Sequence, residues 1–189
     1  IYDNHMEKQI EIEFKTLLDL NEYTYLDKYI FEGIKPIYQV NYYFDKKNKD
    51  LFMKKRMARI RKINEEYLFT LKTPLELGVQ ENEIILDKLD IMNVRLNELF
   101  QDINIKQEEL KQITCSKTSR KEIIDKYGTW CLDYNNFSSS FDYELEYELH
   151  PQSDYDAAYK HYLKFLKQNN ITFKQAKPKY IRALESQID

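Results

Sequence analysis

Apolar and polar residues alternate along several stretches of this chain with the two-residue period of a half-buried strand. The first is Ile10-Glu11-Ile12-Glu13-Phe14-Lys15, where Ile10, Ile12 and Phe14 face one way and Glu11, Glu13 and Lys15 the other. The same period, or the aromatic and β-branched content of strands, marks residues 39–44, 57–63, 67–72, 79–86, 116–124, 129–134 and 141–149. Residues 45–50 and 64–66 read as turns, and 74–78 as a break. Helical spacing governs the rest. Asn21 is placed to cap a helix with Tyr23, Leu26, Tyr29 and Ile30 on one stripe. Ile91, Val94, Leu99 and Phe100 mark a second helix, and residues 107–112 a short one. Ser153 with Asp156 resembles a capping box ahead of Tyr155, Tyr159, Tyr162, Phe165 and Leu166, a stripe that ends at Asn169-Asn170. Residues 171–173 and 179–183 read as short terminal strands. About eight strands with a few helices, in an order that is not alternating βαβ, predict an α+β fold with a mainly antiparallel sheet. With few prolines and glycines, no linker and no repeat, residues 6–189 read as one domain and 1–5 as a tail.

The polar faces of these strands carry charge of both signs. Arg59 and Arg61 lie on one, Thr70 and Lys72 on the next, then Glu81 and Glu83, then Thr118 and Arg120, then Asp133. In residues 142–149 every second position is acidic, giving Asp142, Glu144, Glu146 and Glu148. Such a face on one strand is ordinarily solvated and laced with weak ion pairs. Its recurrence on six or more strands, opposite apolar faces that also need burial, predicts an eight-stranded antiparallel closed β-barrel with helices packed on the outside and charge within. Crowded cations call for an anion and crowded carboxylates for a cation, because ions removed from water need partners. A triphosphate with Mg²⁺ or Mn²⁺ answers both, through bidentate arginine contacts and hard carboxylate ligands.

Composition narrows the field. The net charge of -3 argues against long nucleic acid as a partner. Cys115 and Cys131 fit no metal or disulfide spacing, and His5, His150 and His161 no histidine zinc motif. Gly33, Gly78 and Gly128 form no phosphate-binding loop, so side chains must hold any phosphate. No apolar run is long enough for a transmembrane helix, and no secretory signal opens the chain. A cytoplasmic protein without membrane contact is expected, as monomer or homodimer.

In this order, Glu11-x-Glu13-x-Lys15, Arg59-x-Arg61, Lys72, Glu81, Arg120, Asp133, Glu144-x-Glu146 and Lys179 resemble the CYTH superfamily, the triphosphate tunnel metalloenzymes. The resemblance runs from about Glu7 to Ala183. It implies a triphosphate tunnel, with Glu11, Glu13, Asp133, Glu144 and Glu146 as metal ligands. It implies Lys15, Arg59, Arg61, Lys72, Arg120 and Lys179 as the phosphate clamp, and Glu11, Glu13, Lys15 and Glu146 as the catalytic set. Glu148 leaves an alternative pairing of Glu146 with Glu148. The activity implied is metal-dependent hydrolysis of a small phosphorylated substrate, inorganic triphosphate first. Thiamine or nucleoside triphosphatases, class IV-type adenylate cyclases and a non-catalytic polyphosphate- or nucleotide-binding module are the alternatives.

Overall fold

A computed structural model describes residues 6–187. The expected tail, 1–5, and the last two residues of the expected domain lie outside the described residues. Nine strands form one antiparallel sheet: β1 (Glu7–Glu11), β2 (Glu13–Leu18), β3 (Ile37–Lys46), β4 (Met57–Ile63), β5 (Glu66–Pro74), β6 (Val79–Leu86), β7 (Leu110–Ile124), β8 (Gly128–Asn136) and β9 (Phe141–Leu149). Their order is β1-β6-β5-β4-β3-β7-β8-β9-β2. The ninth strand arises because the first alternating run breaks at Ile12. Its first half pairs with β6 and its second half with β9. The sheet therefore curls into a barrel that is not fully closed. The two edge strands are joined through Ile12, whose carbonyl accepts from the Leu149 amide at 2.9 Å, rather than by a ladder between them.

Helices α1 (Leu20–Tyr29), α2 (Asp50–Met53), α3 (Asn97–Asp102), α4 (Tyr155–Gln168) and α5 (Lys179–Glu185) complete the fold. Phe44, Ile60, Phe69, Leu71, Ile84 and Leu86 on the outer face of β3–β6 pack against Leu51 of α2 and Leu99 and Phe100 of α3. Leu18, Trp130, Leu132, Leu145 and Tyr147 of the opposite wall pack against Leu26 of α1 and Tyr162 and Leu166 of α4. Burying these two apolar surfaces under helices turns the charged faces inward.

Local chemistry moves several boundaries. Asp19, not Asn21, caps α1: its carboxylate accepts from the Glu22 amide at 2.8 Å, and Glu22 accepts from the Asp19 amide at 2.9 Å, a complete capping box. Asp154, not Ser153, caps α4 by accepting from the Ala157 amide at 2.6 Å, while the Ser153 hydroxyl donates to the Tyr127 carbonyl at 2.8 Å. The helix expected over 91–100 divides into a 3-10 turn, Val94–Leu96, and α3, because Asn93 caps at Arg95. The short helix expected over 107–112 is a 3-10 turn, Gln107–Glu109, and β7 begins at Leu110. Residues 171–173 join no ladder. Residues 179–183 are helical, with Tyr180 and Ala183 buried three positions apart and Lys179 and Arg182 on the polar side. This last helix packs at the barrel rim, where the Tyr180 ring lies 5.1 Å from that of Tyr43 and Thr114 donates to the Ala183 carbonyl at 3.2 Å.

A charged interior as the candidate active site

Register places the charged positions on one face. Lys72 stands opposite Glu81, Arg59 opposite Thr70, Arg61 opposite Asn41 and Arg120 opposite Asp133. Asp133 in turn stands opposite Glu144, Lys15 opposite Glu146 and Glu13 opposite Glu148. Because side chains alternate along a strand, fixing these pairs fixes which residues line the interior.

Three ionic groups result. In the first, Lys72 Nζ lies 2.9 Å from Glu11 and 3.0 Å from Glu81. Burial raises the Glu11 pKa above the usual glutamate value; Lys72 opposes this and Glu81 reinforces it. In the second, Lys15 Nζ lies 2.5 Å from Glu13 and 3.7 Å from Glu146, and Glu148 accepts from Arg120 Nη1 at 3.0 Å. Burial pulls the Lys15 pKa down, but Glu13 and Glu146 outweigh it and hold the ammonium well above its ordinary value. Burial pushes Glu148 up; Arg120 opposes this, and Glu146 and Glu13 add to it. In the third, Asp133 and Glu144, both fully buried, meet Arg120, Lys179 and Arg182. Burial works against ionised Glu146, yet Lys179, Lys15 and Arg120 hold its pKa well below the usual range.

Two basic residues stand apart. Among the described residues Arg59 donates only to Thr70, at 3.2 Å, and its buried Nε has no partner. Arg61 donates to Asn41 at 2.8 Å. Among the described residues neither makes an ion pair. Burial, then Arg59 and Arg120, lower the Arg61 pKa to about 10. Glu148 opposes the fall at Arg61 and Arg59 helps lower the Glu81 pKa, but no described carboxylate comes within ion-pair distance of either guanidinium.

The carboxylates form two trios whose oxygens lie within 4.8 Å of one another, Glu13/Glu146/Glu148 and Asp133/Glu144/Glu146. The five expected ligands are thus not one cluster. Glu11 belongs to neither trio and stands with Lys72 and Glu81, while Glu148 enters beside Glu13. Hard carboxylate oxygens grouped this closely could hold a divalent metal ion. Sequence reasoning missed Arg182. Its signal was the three-residue spacing from Lys179, which only a helix turns to one side. Thr118 donates to Asn135 at 2.7 Å, a contact within the wall. A cavity of about 190 Å³, bordered by Glu11, Glu13, Gly78 and Tyr155, opens at the seam between β1 and β2.

An inward-facing set of glutamates, lysines and arginines on a curled antiparallel sheet defines a class, and the sequence model of the CYTH domain matches residues 9–180, so the chain belongs to the CYTH domain family. It is 27% identical over 187 residues to YjbK of Bacillus subtilis (strain 168), a candidate triphosphatase, covering 95% of this chain and 97% of that one. Among solved structures it is similar to a candidate adenylate cyclase, bh2851 from Bacillus halodurans, with 29% identity and a TM-score of 0.83 over 93% of this chain and 97% of the other. HpAC1 from Hippeastrum, an adenylyl cyclase candidate with a dominant triphosphatase activity, shares the fold at 18% identity and a TM-score of 0.70, over 94% of this chain and 95% of its own. Among the described residues no helix is long and apolar enough to cross a membrane.

Proposed function

We propose that this chain is a metal-dependent triphosphatase whose first substrate is inorganic triphosphate. The observation that carries the reading is the pair Arg59 and Arg61, cations in the barrel interior that make no ion pair among the described residues, on a sheet whose other wall gathers carboxylates. Leaving such charges unpaired is costly unless an anion completes them. Guanidinium groups match phosphate oxygens in pairs. Lys15, Lys72, Arg120 and Lys179 extend the clamp and neutralise charge as the terminal phosphoryl group transfers.

A Mg²⁺ or Mn²⁺ ion bound by Glu13, Glu146 and Glu148 would supply Lewis-acid polarisation of the phosphate oxygens. Asp133 and Glu144 back Glu146 from the buried side. Lys15, bridging Glu13 and Glu146, fixes their orientation. Glu11, which lies outside both trios and beside the seam cavity, takes the proton of the attacking water. Water adds to the terminal phosphorus, the bridging phosphoanhydride bond breaks, and orthophosphate and pyrophosphate leave. The chain acts on a small phosphorylated substrate in solution.

Kinship with YjbK and with bh2851 leaves two chemistries to separate. Phosphate and cyclic nucleotide release are to be measured from inorganic triphosphate, thiamine triphosphate and ATP, each with Mg²⁺ and with Mn²⁺. The expected outcome is metal-dependent phosphate release, fastest from inorganic triphosphate. Cyclic AMP from ATP as the main product would overturn the reading. Tight binding of all three without turnover would make the chain a binding module.

A further inference from the structure

The two carboxylate trios share Glu146 but differ in what already holds them. In Glu13/Glu146/Glu148, two cations are present: Lys15 Nζ lies 2.5 Å from Glu13 Oε1, and Arg120 donates to Glu146 Oε2 at 2.6 Å and to Glu148 Oε1 at 3.0 Å, which among the described residues leaves the second oxygens of Glu13 and of the 37%-exposed Glu148 without a cation. In Asp133/Glu144/Glu146, every oxygen of the two unshared residues is engaged. Asp133 Oδ1 accepts from Arg120 Nε at 2.8 Å, and Oδ2 from Arg120 Nη2 at 2.7 Å and Lys179 Nζ at 2.8 Å. Glu144 Oε1 accepts from Asn135 at 2.9 Å and lies 3.1 Å from Lys179 Nζ, while Oε2 accepts from Arg182. Three buried carboxylates therefore meet three cations, Arg120, Lys179 and Arg182, of which Lys179 and Arg182 keep a little exposure.

Two of those cations belong to one short element. Lys179 and Arg182 lie one turn apart on α5, which is otherwise pinned by Tyr180 to Asp45 at 3.3 Å, by Thr114 to Ala183, and by the Ser139–Ser186 contacts. A divalent ion entering this trio would have to take lone pairs already accepting hydrogen bonds. It would also add two positive charges beside three already present, in a low-dielectric site.

We infer that Lys179 and Arg182 fill the place of a second divalent cation. With α5 docked, the chain takes one ion, at Glu13/Glu146/Glu148. The buried trio opens to a second only when α5 withdraws its two cations. By linkage, a second ion and the docked helix exclude each other, so a rising metal concentration drives α5 off the rim. The inference rests on the reading of Glu13/Glu146/Glu148 as a metal site given above, and it sets how many ions that site works with.

The test counts Mn²⁺ bound by the full-length chain without triphosphate, from the free-ion signal in electron paramagnetic resonance. Wild type is expected to take up one tight equivalent. The double variant Lys179→Met, Arg182→Met keeps the apolar stems and should take up two, with a far-ultraviolet circular dichroism spectrum like that of wild type. Two tight equivalents in wild type, a folded double variant that still binds one, or no Mn²⁺ bound by either protein would overturn the inference. Amide hydrogen exchange in wild type covers the case in which the double variant does not fold. Protection of the α5 amides should fall over the Mn²⁺ range that loads the weak second equivalent, and unchanged protection there counts against the inference. Phosphate release separates it from the proposed function. Hydrolysis with two tight ions from the outset defeats this inference alone. One ion in wild type and two in the variant, without hydrolysis, defeats only the triphosphatase reading.

Discussion

Arg61 shows what an interior cation without an ion pair costs the folded protein. Its ordinary pKa falls to about 10 in the folded chain, chiefly through burial and then through Arg59 and Arg120. A cation whose folded pKa lies below its unfolded value costs stability at every pH where it remains charged, here on the order of a few kcal/mol. Replacing Arg61 with Met removes that cost, at the expense of one hydrogen bond to Asn41 worth about 1 kcal/mol. Arg61→Met is therefore expected to raise the melting temperature of the ligand-free protein while abolishing the further rise that inorganic triphosphate gives wild type. A scanning fluorimetry series with and without triphosphate checks both halves, and a variant that still responds fully to the ligand would remove Arg61 from the clamp. Glu148 carries a second residue-level consequence. Burial, together with Glu146 and Glu13, keeps its carboxyl protonated to higher pH than a free glutamate, against the pull of Arg120. A metal at the proposed Glu13/Glu146/Glu148 site would have to displace that proton, so Mn²⁺ affinity should climb with pH through and above the usual carboxylate range, then level off once Glu148 is ionised. Glu148→Gln should bind Mn²⁺ more weakly and with a flatter pH profile. Titrations at stepped pH decide the matter, and a flat wild-type profile would leave Glu148 outside the metal site.

At the scale of elements, Glu22 joins two segments, the start of α1 and residues 172–174. Its carboxylate closes the α1 capping box with Asp19, accepts from the Thr172 amide at 3.1 Å, and binds Lys174 Nζ at 2.8 Å. Asp19→Ala should cost about 1 kcal/mol, the ordinary worth of an N-cap. Glu22→Ala should cost more, because it also removes two of the contacts that hold the segment leading from α4 to α5, which then keeps its bonds to Thr16 and Leu17. Urea midpoints of the two variants test the order, with little change in KM expected from either. The elements that alternation revealed most cleanly are β4, β6 and β9, whose bounds match the sequence pattern because one face is charged and the other buried. Two elements were hidden for opposite reasons. The break at Ile12 leaves the alternation of residues 10–15 intact, since the chain changes partner strand without changing which face points inward. In α5 the short stretch Lys179-Tyr180-Ile181-Arg182-Ala183 reads as an alternating strand as readily as a helix turn. Only the burial of Tyr180 and Ala183 against Tyr43 and Met57 selects the helix. The site divides in the same way. Its charged residues were legible one by one, but their partners depend on which strands are neighbours. Nothing local tells Glu11 that it will meet Lys72 and Glu81 while Glu13, two residues on, meets Glu148.

The whole molecule closes around a seam, and one glycine sits at it. Gly78 precedes β6 with φ +79°, and a Cβ built there would lie 2.6 Å from the Glu11 carbonyl oxygen and 3.0 Å from Ile12 Cγ1. Val79, the next residue, pairs with Glu11, so the close approach at Gly78 helps set where Glu11 stands against Lys72. Gly33 provides the control: its φ is +73°, but a Cβ there meets nothing within 4 Å. Gly33→Ala should therefore pay only the left-handed backbone cost of about 1–2 kcal/mol and leave turnover near wild type. Gly78→Ala adds a clash with backbone, which cannot rotate aside as a side chain can. Relief requires β1 to move away from β6 at the end that carries Glu11. If Glu11 is the base proposed above, turnover should then fall by more than the loss of folded protein explains, because a displacement of about 1 Å would break its alignment with the attacking water. Denaturation midpoints and turnover of the two variants, measured at a temperature where both remain folded, separate strain from displacement. Equal turnover in the two would mean that the Ile12 connection, not the packing at Gly78, holds Glu11 in the interior.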